Sequence, residues 1–582
     1  MKNGYWLYAC LTLVILTVIF TTGCPPKTKV CEPSTFCPRE DVGRKERELI
    51  VQLNPFYEVC DIISEKRDSF QICTFRKEND QLDSIRVKVK EAPQGIRCLR
   101  RSTVFYTGKD AFLEQLNDIA FQFNPTATPK INSYKVIKDC NCEERLILIS
   151  ISLPPDVDIN NGVAKGSSST EENNGPIGAI GHNYEIYRRE ENNLALGTVP
   201  TNAGTCTTVT PSSASSPERP KEFVNTRDPD LDEDFPRDLP CDTLLIPVLE
   251  QEDLTPASPR IAIIDTGVDP LYKYLKNSST LVATHVFTDE FTAWPLSQSI
   301  NSFDYGNSIT LNGTDDDGNC LEDDFFGYDF FHEDNNPSDL KGHGTHIAYT
   351  VLSANNIPGL NAKILPLQFG GYTGWSSNPG VFKCDLFSAI CSISYATAEK
   401  VDIINMSWGY YSTDTHQVLR NVIQRAADAD ILMIASMGND SVSVDSCLHW
   451  PSNFSTVTGI KEAFLSVAAL ATFTNNEPVG DLKLAGYSNY GTSADLAAPG
   501  SNIMGALVRT DQTIRLSGTS MSAAVMSRQA AIKMYAGGVK LSAEATKVAL
   551  LAQTVAGNDM CAGDFRIYDY TDDTTLLSSI GY

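Results

Sequence analysis

Two kinds of hydrophobic spacing divide the chain. Beyond residue 241, short apolar runs recur at 260–264 (RIAII), 363–369 (KILPLQF), 401–406 (VDIINM), 431–436 (ILMIAS) and 464–470. Runs of this length, with little polar interruption, are the pattern of strands buried on both faces. Between and after them, 385–399, 418–429, 520–535 and 543–553 place apolar residues three and four apart, as helices with a buried face do. Strands alternating with helices predict an α/β domain over 241–582, built on a doubly wound, mostly parallel sheet. Sites in such sheets form where the strands reach their carboxyl ends.

Upstream the pattern changes. From 81 to 190, the segments 84–90 (SIRVKVK), 102–106, 134–137 and 146–153 read as strands, and 110–123 (DAFLEQLNDIAFQF) as an amphipathic helix. Together they predict a small α+β domain, a helix laid on an antiparallel sheet. Residues 25–80 have no clear period and are expected to form a tether with a small irregular element. Between 191 and 240 Ser, Thr, Pro, Asn and acidic residues dominate, and 227–237 (RDPDLDEDFPR) has almost nothing to bury. This stretch reads as an exposed linker. At the start, Met1-Lys2 precedes an apolar run over 5–20 and then Thr21-Thr22-Gly23-Cys24. A basic start, an apolar stretch and small residues before a cut form the layout of an export signal, here 1–23. An uncleaved anchor is the alternative, although the run is short for a membrane span of ~20 residues.

Composition narrows the classes. A net charge of −25 and a pI near 4.7 exclude a nucleic-acid partner as the expectation, because phosphate binding needs a basic face. The same acidity suits solubility and the binding of hard cations through carboxylates. Of 16 cysteines, setting aside Cys10 in the signal and Cys24 after it leaves 14. An even number in an exported chain reads as a partly disulfide-bonded framework of open connectivity. Cys384 and Cys391 are not expected to pair, since on one regular helix their Cα atoms would lie about 10 Å apart. Cys140 and Cys142 form a CxC, which is not the paired knuckle of a zinc site.

The candidate chemistry sits at strand ends. Asp265 follows the run 260–264 and precedes Thr266-Gly267, so its carboxylate is expected at the carboxyl end of a strand. His343 lies in Gly342-His343-Gly344-Thr345-His346, and Ser520 in Gly518-Thr519-Ser520-Met521 at the start of a predicted helix. Taken singly these are ordinary: an Asp capping a turn, a structural His, a common turn tripeptide. Together they supply a hydroxyl nucleophile, a base and a carboxylate to orient that base. Asn439, after the run 431–436, offers an amide donor for an oxyanion.

The blocks IAIIDTGVD, NMSWG, ASMGND, LAAPG, GHGTHIA and SGTSMSAA, with the order Asp, His, Ser, resemble those of the subtilisin-like (S8) serine peptidases over about 255–560. The resemblance implies Ser520 as nucleophile, His343 as general base and acid, and Asp265 as the carboxylate that stabilises the imidazolium. Asn439 and the Ser520 N–H would form the oxyanion hole. Ser407, Trp408 and Gly409 would pair with extended substrate backbone, and Ala435, Ser436 and Gly438 would line the pocket for the side chain before the scissile bond. His346 is expected to be structural. The Ser block departs from the family at Ser522-Ala523-Ala524, Val525 and Arg528, and Met437 replaces a smaller residue; none of these removes a catalytic group.

Three further readings follow. Thr314-Asp315-Asp316-Asp317-Gly318-Asn319, upstream of His343, alternates oxygen ligands around a Gly turn, which suits Ca²⁺. Its ligands would be Asp315, Asp317, Asn319, Asp324 and a backbone oxygen of Leu321; a solvated acidic loop is the plainer reading. The Cys after Gly23 resembles a bacterial lipoprotein signal, implying a lipid on Cys24, a membrane anchor and a place in the cell envelope or outside it. The region 81–190 fits a prodomain in position and size, its end 177–184 faintly resembling a family prodomain's closing strand; an unrelated accessory domain is the alternative. The expectation is therefore a monomeric serine endopeptidase acting on proteins or peptides. A catalytically silent, peptide-binding surface lipoprotein on the same fold is the rival.

Overall fold

The computed structural model describes residues 37, 44–53, 57–59, 105–107, 109–120, 131–140, 146–153, 177–186, 259–268, 382–413, 415–471, 482–507 and 513–536 and, with short gaps, 321–372 and 539–570. All of them fall in one compact unit made of 34–195 and 241–582. The predicted signal, Cys24, the strand 84–90, the linker 191–240 and the ligands Asp315, Asp317 and Asn319 lie outside the described residues.

The first sheet holds β1 (Arg44–Leu53), β2 (Ser133–Asp139), β3 (Leu146–Ser152) and β4 (Ile177–Tyr184), in the order β2-β3-β1-β4 with β1 antiparallel to both neighbours. The predicted helix is α1 (Lys109–Ala120). This corrects the reading of 25–80 as a tether. Residues 44–53 are a central strand, and no polar alternation marks its second half because Leu49 to Leu53 are buried on both faces. Leu49 and Val51 join Ile147, Ile149, Phe112 and Leu116 in a core under α1. Ile50, one residue out of phase, faces the other way with Leu146, Leu148 and Ala179, into the core of the large domain. The small domain therefore begins near residue 44, not 81.

The large sheet contains β5 (Arg260–Asp265), β6 (Tyr328–Asp329), β7 (Lys363–Gln368), β8 (Ile403–Met406), β9 (Leu432–Ser436), β10 (Phe464–Leu470), β11 (Leu496–Pro499), β12 (Thr554–Asp559) and β13 (Gly563–Tyr568). Its order is β12-β13-β11-β10-β9-β8-β5-β7-β6, parallel throughout except for the β12–β13 edge pair. Around it lie α2 (His343–Leu352), α3 (Leu386–Ala398), α4 (Gln417–Asp428), α5 (Thr519–Tyr535) and α6 (Ala543–Ala552). The doubly wound α/β expectation holds. Strand β5 sits between β8 and β7, with Ile264 opposite Met406 and Asp265 opposite Gln368. That register brings the ends of β5 and β8 to the same edge of the sheet.

The first sheet docks on α3 and α4. Asn183 Oδ1 accepts from Phe387 N–H in the first turn of α3, and Gln52 Oε1 accepts from Asn421 Nδ2 on α4. His416 caps α4: its Nδ1 accepts from Leu419 N–H, so Nε2 carries the proton and donates to the His182 carbonyl. Burial lowers the His416 pKa to about 4, which keeps that tautomer neutral. Two disulfides also join upstream segments to the large domain, Cys140–Cys391 and Cys37–Cys447. Cys391 thus bonds Cys140 and not Cys384, in line with the expectation. The two are also on different elements, Cys384 in the short strand Phe382–Cys384 and Cys391 within α3.

Candidate active site

Strand β5 ends in Asp265, whose carboxylate is fully buried, and Gly267 at φ +97° turns the chain away from the sheet. Helix α2 starts at His343. His343 Nδ1 lies 2.9 Å from Asp265 Oδ1 and 3.0 Å from Oδ2. With a carboxylate accepting there, Nδ1 is the donor and Nε2 the basic nitrogen. So close a packing of α2 on the β5 loop needs glycine at 344. A β-carbon there would strike the Gly267 carbonyl oxygen and come within 3.1 Å of Asp265 Cβ.

A second buried carboxylate fixes this junction, and sequence reasoning missed it. Asp339 Oδ1 accepts from Lys341 N, Gly342 N and Thr266 Oγ1, and its Oδ2 from Thr345 N and Oγ1. Burial pushes its pKa up, while the donors from Gly342, Thr345 and Lys341 pull it back. Thr266 links the two carboxylates: its N–H donates to Asp265 Oδ1, its hydroxyl donates to Asp339, and that hydroxyl accepts from Gly344 N–H. The sequence signal was an Asp four residues before His343, next to a Gly turn.

Ser520 sits in the first turn of α5, where backbone N–H groups have no intrahelical acceptor. Its Oγ donates to the Ser407 carbonyl at 3.1 Å, and Ser407 Oγ donates to the Ser520 carbonyl at 3.0 Å. Ser407 Oγ also accepts from Asn405 Nδ2 at 2.9 Å, which ties the end of β8 to α5. Asn439 follows β9. Its Oδ1 accepts from both Thr519 N–H (2.9 Å) and Thr519 Oγ1 (3.0 Å). With the carbonyl side so held, Nδ2 is directed to the opposite side of the carboxamide, as a donor. Thr519 Oγ1 in turn accepts from Gly438 N–H at 3.0 Å. Thr519, also missed in the sequence, is the clamp that orients Asn439 beside Ser520.

The remaining residues fall as follows. Residues 407–409 continue from β8 outside any strand, with Trp408 buried against Phe369. Ala435 and Ser436 end β9 and are buried. The unusual Met437 is fully buried and belongs to the hydrophobic core. Ser522 Oγ donates to the Ala498 carbonyl, and Val525 and Arg528 lie on the buried length of α5. These departures are packing features of the helix. His346 is buried with Nε2 3.1 Å from the Ile503 carbonyl, the structural role expected of it. Of the proposed cation ligands, Leu321 and Asp324 are described. Both are buried, and Asp324 Oδ2 accepts from Tyr395 OH on α3.

The Subtilase family model matches residues 257–582, more than half of the chain. The chain belongs to that family. It is similar to the major intracellular serine protease of Bacillus subtilis (strain 168), 28% identical over 282 residues that cover 47% of this chain and 68% of that protein. The thermophilic serine proteinase of Bacillus sp. (strain AK1) is 29% identical over 203 residues, 34% of this chain and 43% of that protein. The minor extracellular protease Epr of B. subtilis (strain 168) is 28% identical over 165 residues, 28% of this chain and 22% of Epr. The match thus spans less than half of the latter two relatives. Among solved structures, a cold adapted subtilisin-like serine proteinase is 18% identical at a TM-score of 0.35, covering 54% of this chain and 89% of that one.

The Asp339 junction can be tested without reference to activity. Asp339→Ala leaves five donors without their acceptor, three of them buried, and is expected to lower stability by about 3 kcal/mol. Chemical denaturation of the variant and the wild type measures this. A midpoint unchanged by the substitution would show that the junction does not depend on the carboxylate.

Proposed function

We propose that the chain is a serine endopeptidase with Asp265, His343 and Ser520 as its triad. The observation that carries this reading is the buried His343–Asp265 pair, which leaves Nε2 as the basic nitrogen, together with Ser520 at the start of α5 and an Asn439 amide held as a donor beside it. In the proposed reaction Ser520 Oγ is the nucleophile and His343 Nε2 the base that takes its proton. Ser520 Oγ attacks the peptide carbonyl carbon while its proton passes to Nε2, and Asp265 stabilises the imidazolium that forms. Asn439 Nδ2 and the Ser520 N–H receive the oxyanion. His343 then gives the proton to the leaving amine, and water attacks the acyl-enzyme by the same steps in reverse. Ser407, Trp408 and Gly409 would hold substrate backbone, and Ala435, Ser436 and Gly438 the side chain before the cut.

A fluorophosphonate probe tests the assignment. Wild-type protein is expected to label on Ser520, and Ser520→Ala to remain unlabelled. Asn439→Ala is expected to lower kcat about 10²–10³-fold, the size established for such a donor in subtilisin itself. A folded wild type that takes no label would favour the silent, peptide-binding reading instead.

We further assign Ca²⁺ to the acidic loop, through Asp315, Asp317, Asn319, Asp324 and the Leu321 backbone oxygen, where it would stiffen the approach to His343. The oxygen-only donor set suits a hard cation. Among the described residues, no three His, Cys, Asp or Glu side chains gather to hold a metal. Ionisation of the nearby Tyr328 is pushed well up by burial and then by Glu333, Asp334, Asp324 and Asp329, of which Asp324 alone is a proposed ligand. Removing calcium with EDTA is expected to lower the melting temperature by several degrees, restored by added Ca²⁺; an unmoved transition counts against the assignment.

The N-terminus is proposed to carry an export signal cut before a lipidated Cys24. We read the small domain as prodomain-like and retained, because two disulfides bond it and its preceding segment to the large domain. Intact mass of mature protein, with and without reductant, examines both points. The expected result is a diacylglyceryl mass on Cys24 and, wherever the chain is nicked between 191 and 240, fragments that separate only on reduction. A mature protein that starts beyond 240 with nothing attached would overturn the retained-domain reading.

A further inference from the structure

The crevice expected to hold the side chain before the scissile bond lies between two segments that leave adjacent parallel strands. One is Ser407-Trp408-Gly409 after β8, the other Ala435 to Gly438 at the end of β9, and the strands are in register with Met406 opposite Ala435. A single imidazole enters between these walls. A β-carbon at Gly409 would collide with His449 Cε1 and Nε2, and a β-carbon at Gly438 would stand 2.9 Å from the same Nε2. The His449 ring thus lies against the glycine of each wall, with Cε1 and Nε2 at Gly409 and Nε2 and Cδ2 at Gly438, where Asn489 Nδ2 stands nearer still.

The ring is not placed to swing aside. His449 belongs to the short strand His449–Trp450, which pairs antiparallel with Tyr410–Tyr411 directly after Gly409. Its Nδ1 lies 2.8 Å from Ser452 Oγ, and that hydroxyl donates its one proton to the His449 carbonyl at 2.9 Å. Nδ1 must then be the donor, which fixes both the tautomer and the ring plane. Behind it the Tyr411 ring packs edge-on with centroids 5.0 Å apart. Tyr411 OH is held in turn by Asp440 Oδ2 at 2.8 Å and Asn489 Nδ2 at 2.7 Å. The imidazole is 3% exposed, and burial holds its pKa near 3, so it presents a neutral, immobile ring.

We propose that His449 fills the pocket between 407–409 and 435–438, so that the enzyme accepts only a small residue, Gly, Ala or Ser, immediately before the scissile bond. This rests on the serine endopeptidase reading above. A large side chain would have to displace a ring that its neighbours lock in place, whereas a methyl or hydroxymethyl group needs only the space at the mouth. Glycine at 409 and 438 then has a second role beside backbone approach: it makes room for the ring that closes the pocket.

Two peptide p-nitroanilides, identical except for Ala or Phe next to the anilide, test it. Wild type is expected to favour Ala over Phe by about 100-fold in kcat/KM, the scale on which pocket fit discriminates. His449→Gly and His449→Ala are expected to move that ratio toward Phe by about 100-fold and at least 10-fold respectively. Ser452→Ala, which releases the ring without removing it, is expected to shift the ratio the same way by a smaller factor. Fluorophosphonate labelling of Ser520 is run on every variant to show an assembled site. A labelled wild type that cleaves the Phe peptide as readily as the Ala peptide overturns this proposal alone, as does a labelled His449→Gly with an unchanged ratio. A folded wild type that takes no label overturns the peptidase reading, and this proposal with it.

Discussion

The contact between Asp265 and His343 sets the spacing of what surrounds it. A carboxylate at the end of a central strand must meet an imidazole at the start of a helix from a different part of the chain, with both groups out of water. Burying such a carboxylate is costly unless its oxygens are met by donors. Here Asp265 has Nδ1–H across its two oxygens and the Thr266 N–H on one of them. The helix must come within van der Waals contact of the loop after β5, so residue 344 cannot carry a side chain. Asp339 then collects the amides that the Gly342 turn leaves over, and Thr266 joins the two carboxylates through one hydroxyl. Hydrogen bonds thus join Asp265, Thr266, Asp339 and the start of α2 into one network around His343.

A second junction faces the first from the neighbouring strands. Thr519 is to Asn439 what Asp339 is to His343: a buried side chain that touches no substrate in the proposed reaction but sets the direction of one that does. Its hydroxyl accepts from Gly438 and donates to Asn439, while its amide donates to the same Asn439 oxygen. Because β5 and β8 are parallel neighbours in register, the two junctions open on one edge of the sheet. The crevice between β8 and β9 lies at that edge too, and His449 reaches into it from the strand beside Tyr411. The residues proposed for reaction and for selection thus come from separate segments that only the sheet brings together.

That separation explains what could be read along the chain. Asp265, His343, Ser520 and Asn439 were legible because each sits in a short block whose glycines and turn residues are local signals. The parallel sheet was legible because its strands are uninterrupted apolar runs. Asp339, Thr519 and His449 were not, since their roles depend on partners 73 to 80 residues away for the first two and on the two crevice walls for the third. Residues 44–53 were misread for a different reason. A strand covered on both sides loses the alternation by which an antiparallel strand announces itself, and its neighbour β3 lies 93 or more residues further on. The Cys140–Cys391 bridge spans 251 residues, which no local spacing can reveal.

The same doubly covered sheet bears on how the small domain can behave. One of its faces is closed by α1 and the other by the large domain, with Ile50, Leu146, Leu148 and Tyr184 inside the shared core. Exposing side chains of this kind costs about 1.5–3 kcal/mol each, so detachment would leave a four-stranded sheet with one apolar face in water. It would also strip the His182 and Asn183 contacts from the ends of α4 and α3. A prodomain that inhibits and then departs needs an interface it can leave and still be removed, by degradation if not by dissociation. Here the bridge from Cys140 to α3 opposes departure even after the chain is cut. The balance of these terms favours a small domain that stays attached as part of the large domain's core.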